Sequence, residues 1–297
     1  MKKFILNTLT TRYNGFQELL RLKEALESAR EESEIFLDMS YLTRFDGSMC
    51  ACLGGLLKYY RSKGLCISTK LSDIEPKVRS YLSQNEFLSL FGQHKIMDYS
   101  KNNEKAIIDF KSHKINNSNE FQAYIGNYFS LYNKNLPNIP RRLLKHFRTS
   151  LYEIYLNAVE HAETQLDIFT SGEFFAAKQQ LDFCVTDLGI GIKENIRKKI
   201  HLTLQPEKAI DWAMQAHNTT RKGEPGGLGL KLIREFITHN EGVMIIVSDA
   251  GYWEFKNKQV ITKRFESPFP GTVILIKINT ANTKYYDKYD INPNDIF

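Results

Sequence analysis

RRLLKHFRTSLYEIYLNAVEHA, residues 141–162, is the stretch on which the fold of this 297-residue chain turns. Leu144, Phe147, Leu151, Ile154, Tyr155 and Ala158 recur at helical spacing, so they form one stripe that faces a core. Glu153 and Asn157 stand one turn apart, and Glu160 and His161 follow in the next turn. A carboxylate can accept a proton, and a neutral amide oxygen can ligate a hard cation such as Mg²⁺ without adding charge. The same residues also suit a solvated polar face. The helix by itself leaves both readings open.

Three downstream stretches carry further chemistry. LDFCVT (181–186) reads as a strand with Leu181, Phe183 and Val185 on one side and Asp182, Cys184 and Thr186 on the other. Asp187 ends it, where an acid can accept a hydrogen bond from an exocyclic amine, and Gly189 and Gly191 permit close backbone approach. GEPGGLGLKLIREFI (223–237) crowds glycines at the entrance to a helix with Leu228, Leu232 and Phe236 on one row and Ile233 and Ile237 on the next. Such an entrance presents free N–H groups and the positive end of the macrodipole to an anion, and Gly242 is placed to end the helix. No lysine follows the glycines as in a Walker-type loop. Nor do they follow directly on a strand with an acid about 20 positions later, as a Rossmann turn requires. GTVILIKI (271–278) supplies a last strand. Each stretch is weak singly; their order and spacing together are hard to obtain by accident.

These residues resemble the GHKL superfamily, the Bergerat-fold ATPases and kinases that include DNA gyrase B subunits, heat-shock chaperone ATPases, histidine kinases and anti-sigma-factor serine kinases. Residues 153–161, E-x-x-x-N-A-x-E-H, are similar to the N box, and Asp187 to Gly191 match D-x-G-x-G. Gly227-Leu228-Gly229-Leu230 is similar to the second glycine box, and Gly271-Thr272 to the closing G-T. The resemblance covers 141–280 and implies an α/β sandwich whose mixed sheet is covered by helices on one face. It implies that Asn157 holds Mg²⁺ against the triphosphate of ATP. Asp187 would receive the adenine amine, with Gly189, Gly191 and Thr272 around it, and Gly226, Gly227, Leu228 and Gly229 would lie against the phosphates. Residues 193–226 would be the ATP lid, with Thr220, Arg221 and Lys222 reaching the terminal phosphate. Glu153 is the implied catalytic base. In the ATPases that glutamate activates water; in the serine kinases, which this run resembles most closely, it serves a hydroxyl. The segment from His146 to Leu151 is similar to the phosphoacceptor box of histidine kinases but lacks one residue between histidine and arginine. His146 also lies on the same helix as Asn157, about 16 Å away at 1.5 Å per residue, and is expected to be a partly exposed helix histidine.

The first 95 residues alternate expected strands (3–7, 34–39, 65–71) with expected helices (14–30, 48–63, 76–91), a small α/β layer domain. EIFLDMSYLTRFDGSMCACLGGLLKYYRSKGLCISTKL, residues 34–71, resembles STAS domains, the fold of anti-sigma-factor antagonists, although Asp46-Gly47-Ser48-Met49 stands where D-S-S-G is usual. Ser48 falls at the phosphoacceptor position of those proteins; it is either modified there or, with Asp46, caps the helix. Residues 96–140 form a connecting segment with a strand at 106–113 and a helix at 120–132. Residues 281–297 read as a polar tail.

Composition narrows the function classes. The chain has 40 basic and 34 acidic side chains, a net charge of +6. That excess is mild, and with no basic run interleaved with aromatics no nucleic-acid partner is expected. No apolar stretch of about 18 residues occurs, so a soluble cytoplasmic protein without a membrane span is expected. Cys50, Cys52, Cys66 and Cys184 are expected to be buried reduced thiols. Two functions follow from the resemblance. One is a Mg²⁺-ATP-dependent signalling enzyme, serine-kinase-like or an ATPase. The other is a non-catalytic switch in which lid closure controls a protein partner. The aromatic helix at 120–132 either packs against the sheet, which is the expectation, or forms the surface of a homodimer.

Overall fold

The computed structural model describes residues 2–29, 34–93, 105–130, 141–215, 218 and 228–282. Strands β1 (Lys2–Ile5), β2 (Glu34–Asp38) and β3 (Cys66–Ser68) pair in parallel in that order. Parallel neighbours need crossovers, supplied by α1 (Tyr13–Glu27) and α2 (Met49–Ser62). Next comes α3 (Pro76–Gln84), where the Glu75 carboxylate accepts from Val78 N at 2.9 Å. The helix expected over 76–91 breaks after Asn85. Glu86 takes a left-handed φ of 64°, and the chain resumes as a 3-10 turn, Phe87–Phe91. Asn85 is held elsewhere: its Nδ2 donates to Ile108 O at 2.9 Å and its carbonyl accepts from Phe110 N at 2.7 Å. Both partners lie where β4 (Lys105–His113) slips register against its neighbour, between Ile108 and Lys111.

The second sheet runs β4-β5-β6-β8-β7, with β5 (Ile168–Phe175), β6 (Gln180–Asp187), β7 (Val243–Lys256) and β8 (Gln259–Asn279). The expected α/β architecture is present, but this sheet is antiparallel throughout its described pairings rather than mixed. Short hairpins explain this. A 3-10 turn, Ala176–Lys178, joins β5 to β6, and Asn257 and Lys258, at φ 51° and 62°, join β7 to β8.

One face carries α4 (Ser118–Tyr128), α5 (Arg141–His161) and α8 (Leu228–Asn240). All six residues of the apolar stripe on α5 are buried, as are Ile233, Phe236 and Ile237 of α8. Strand alternation sorts the rest. Leu181, Phe183 and Val185 of β6 and Ile274, Ile276 and Ile278 of β8 join this layer. Cys184, Val273 and Leu275 belong to the opposite core. The strand and helix expected within 96–140 are β4 and α4, and both are integral to this unit.

The other face is also covered, which the resemblance did not imply. Helices α1 and α2 pack onto it, so the N-terminal layer and the second sheet share one hydrophobic core. At Gly55 an added Cβ would sit 2.8 Å from both Leu188 Cδ2 and Phe169 Cδ2, so the α2 backbone is pressed against the sheet. The N-terminus of α2 ends on β5. Gly47 N donates to Glu173 Oε2 at 3.1 Å, Ala51 N donates to Ser171 Oγ at 2.9 Å, and Ser171 Oγ donates to Ser48 O at 2.9 Å. Ser48 is buried and its hydroxyl makes no capping bond. Asp46 accepts from Thr11 N and Oγ1 at 2.9 and 3.0 Å instead. Neither residue caps the helix as expected; side chains of the neighbouring sheet take that role. Cys50, Cys52 and Cys184 are buried, with Cys52 and Cys184 sulfurs 3.6 Å apart across the α2–β6 contact. Cys66 departs from the expectation and is exposed, because it faces outward on the edge strand β3. Among the described residues no helix is long and apolar enough to cross a membrane.

Gly55→Leu is expected to wedge α2 from the sheet and lower the unfolding free energy by about 1–3 kcal/mol, read from the urea midpoint. An unchanged midpoint would mean that α2 is not tightly seated.

Candidate functional site

Asp187 ends β6 directly opposite Thr272 on β8. Odd positions of β6 face the α5 layer, so Asp187 belongs to that side of the sheet. Its Oδ1 accepts from Gly189 N at 3.0 Å and Thr272 N at 3.3 Å, which fixes the side chain. Oδ2 has no hydrogen-bond partner among the described residues. Burial pushes the Asp187 pKa from 3.8 up to about 7, while the two backbone donors pull it down.

The loop after Asp187 is pinched between two elements. Ile190 N donates to Ala162 O at 2.8 Å, just past the end of α5. A Cβ on Gly189 would lie 2.0 Å from Ala162 O, so no side chain fits there. Gly271, at φ 113°, passes equally close: a Cβ there would lie 2.2 Å from Asp187 O. These contacts bring Asp187, Gly189, Gly191 and Thr272 together at the C-terminal end of α5.

Two residues that the sequence reading missed complete this corner. Ser248 of β7 donates to Gly271 O at 3.0 Å, accepts from Ile192 N at 2.9 Å and lies 3.1 Å from Thr272 Oγ1. The signal for it is modest. It is a small hydroxyl on the same strand face as Met244 and Ile246, and its register partner is Thr272. Asn195, on α6 (Gly191–Ile200), donates from Nδ2 to His161 O at 3.1 Å and ties that helix to the last turn of α5.

Asn157 and Glu153 lie on α5, five and nine residues before Ala162. Asn157 is thus about 7.5 Å along the helix axis from the pinched loop. Its Nδ2 is buried without a hydrogen-bond partner among the described residues. An unsatisfied buried amide costs about 1–3 kcal/mol, which a bound polar group would recover. A half-turn of the side chain presents its oxygen in the same place, so the amide fits a cation or a ligand donor. Glu153 is half-buried, Glu160 exposed, and His161 Nε2 lies 3.8 Å from Glu160. His146 is half-buried on the same helix, with its pKa lowered first by burial.

Of the stretch 193–226, residues 193–215 and 218 are described. They hold most of α6 and also α7 (Pro206–Ala213), which is anchored to β7 and β8. Ala209 and Ile210 are buried, Trp253 Nε1 donates to Asp211 Oδ1 at 3.1 Å, and Arg264 grips Glu207 with bonds of 2.8 and 3.1 Å. Thr220, Arg221, Lys222, Gly226 and Gly227 lie outside the described residues. Leu228 and Gly229 open α8. Among the described residues no cluster of three or more His, Cys, Asp or Glu could hold a metal ion.

Residues 144–280 match the family of histidine kinase-, DNA gyrase B- and HSP90-like ATPases. The match supports the GHKL superfamily for this region and ATP as its ligand. A search of curated proteins found no match to the chain.

An acid raised by burial weakens the fold once it ionises. Asp187 titrates near 3.8 when unfolded and about 7 when folded, so its penalty builds from about pH 4 and is complete above 7. Asp187→Asn keeps an oxygen for the two backbone donors and removes the charge. The nucleotide-free variant is expected to be more stable than wild type at pH 8, on the order of 2–4 kcal/mol, and no more stable at pH 4. Thermal unfolding at both pH values checks this; equal shifts at both would place Asp187 in solvent.

Proposed function

We propose that residues 141–280 bind Mg²⁺-ATP at this corner and that the protein is a regulatory ATP-dependent enzyme, serine-kinase-like or an ATPase. One observation carries the reading. Asp187 is a buried carboxylate with one oxygen tied by two backbone donors and the other without a partner among the described residues, beside glycines that let the loop pass close to α5 and β8. The adenine amine would donate to Oδ2, with the hydroxyls of Thr272 and Ser248 beside it. Gly189 and Gly191 would allow the ring close to the backbone. Asn157 would hold Mg²⁺, which neutralises phosphate charge when bound. The N-terminal N–H groups of α8, at Leu228 and Gly229, suit phosphate oxygens. Thr220, Arg221, Lys222, Gly226 and Gly227 are the remaining proposed phosphate contacts. Glu153 would accept the proton of an attacking hydroxyl or water.

Ser48 is not the favoured phosphoacceptor in this arrangement. It is buried against β5, so a kinase site would reach it only after α2 leaves the sheet. In this reading the acceptor serine would belong to a separate protein partner in the cytoplasm, with the STAS-like layer as the surface that binds regulators.

A second reading, the non-catalytic ATP-gated switch, draws on one contact. Leu188, inside the D-x-G-x-G loop, packs against Gly55 of α2. Nucleotide occupancy at Asp187 would thereby reach the N-terminal layer without any chemistry.

ATP labelled at the γ-phosphate separates the readings. Free phosphate marks an ATPase, labelled protein a kinase, and neither a switch. Glu153→Ala is expected to abolish turnover while Mg²⁺-ATP still binds, and Asn157→Ala to weaken Mg²⁺-dependent binding at least tenfold. Loss of nucleotide binding in Glu153→Ala would refute the role given to that residue.

A further inference from the structure

The five-stranded sheet has a cavity on the face opposite Asp187, at the seam with the N-terminal layer, with a volume of about 240 Å³. That is below the roughly 300–1,000 Å³ of drug-sized ligand sites, a space for a small molecule only. Strand alternation separates it from the nucleotide corner. Asp182 and Asp187 lie on opposite faces of β6, five residues and about 16 Å apart along the strand. The cavity is built by both layers: Thr11 and Arg12 at the start of α1, Arg44 and Asp46 before α2, and residues of β6, β7 and β8.

Its floor is acidic, with Asp182 paired to Lys277 and Asp46 and Glu254 hydrogen-bonded to neutral donors. Asp182, 2% exposed, accepts from Gln180 Nε2 at 2.6 Å and lies 3.4 Å from Lys277 Nζ. Lys277 Nζ also donates to Thr11 Oγ1 at 2.5 Å, and Thr11 in turn donates to Asp46. Glu254 accepts from the Tyr252 hydroxyl at 2.5 Å. The rim is different. Arg12, Arg44, Lys178 and Lys256 all line the opening, all are exposed, and none has an acidic partner among the described residues. Arg12 also precedes α1, whose N-terminus has no side-chain cap, so the positive end of that helix adds to the same field. The lining thus carries Arg12, Arg44, Lys178, Lys256 and Lys277 against Asp46, Asp182 and Glu254, an excess of positive charge that an anion would offset.

We infer that this seam cavity binds a small phosphate ester with a hydroxyl-bearing body, such as a sugar phosphate. The rim guanidinium and ammonium groups take the phosphate, for which the arginine fork is shaped. Asp182, Asp46 and Glu254 keep acceptor capacity for the hydroxyls of the body. Because its walls come from both layers, an occupant ties the N-terminal layer to the sheet. This inference does not depend on the nucleotide site.

Isothermal titration of the whole chain with ribose 5-phosphate, inorganic phosphate and free ribose tests it. Wild type is expected to bind ribose 5-phosphate saturably, at least fivefold more tightly than inorganic phosphate, and not to bind ribose. Arg44→Gln with Lys256→Gln, both exposed and outside the nucleotide corner, should weaken binding at least tenfold with an unchanged melting temperature. Asp187→Asn should bind ribose 5-phosphate as wild type does, which separates this cavity from the nucleotide site. Absence of saturable binding, equal affinity in the double variant, or loss in Asp187→Asn would each overturn the assignment. Inorganic phosphate binding as tightly as ribose 5-phosphate would overturn the role of the acidic floor.

Discussion

An antiparallel sheet commonly faces water on one side, and its strands then alternate apolar with polar residues. The β6 strand does not follow that rule. Leu181, Phe183 and Val185 are buried on one face, and Asp182, Cys184 and Thr186 are buried on the other. A strand buried twice has to be covered twice, and the architecture follows from that requirement. Helices α4, α5 and α8 cover one face, α1 and α2 the other. The polar groups of the second face then need partners, because an unpaired buried group is costly. Ser171 finds its partner in Ala51 N of the first turn of α2 and Glu173 in Gly47 N just before it, and Asp182 finds its own in Lys277 and Gln180.

That double cover brings the N-terminal layer to the edge of the Asp187 corner at two places. Leu188 meets α2 at Gly55, inside the loop that follows Asp187. The long β7–β8 hairpin is the second link. Its base carries Ser248, Gly271 and Thr272, and its register slips between Ser248 and Gly251. Farther out, the ring of Phe265 stacks on Tyr13 of α1 at 4.6 Å, and the Tyr13 hydroxyl donates to Arg264 O at 2.7 Å. Arg264 also holds Glu207 of α7. One ribbon thus carries the Ser248 and Thr272 hydroxyls and touches both helix α7 and the N-terminal layer.

Much of the site was legible because its signals are local. A 3.6-residue stripe can be read from Leu144 to Ala158, and all of it is buried. Asp187 announces itself at the end of an alternating strand, before a glycine pair. Other features depend on partners far away in the chain. The helix expected over 76–91 breaks at Asn85 because that residue serves β4. At the end of α8 the left-handed position falls on Glu241, at φ 57°, rather than on Gly242. Gly242 instead donates to Ile237 O and passes so close to β8 that a Cβ would lie 2.5 Å from Lys277 O.

The sequence by itself determined the helices α5 and α8, the strand that ends at Asp187, the closing strand from Gly271 and the chemical types gathered at Asp187, since periodicity and glycine placement are properties of adjacent residues. Only the tertiary structure decided how the α2 N-terminus is satisfied, why Ser48 is buried, and that Ser248 and Asn195 brace the corner. Those outcomes depend on pairings between residues roughly 30 to 130 positions apart, as from Asn195 to His161, Ser248 to Ile192 and Gly47 to Glu173. Such pairings are set by which face of a strand meets which layer, and no local pattern of residues encodes that.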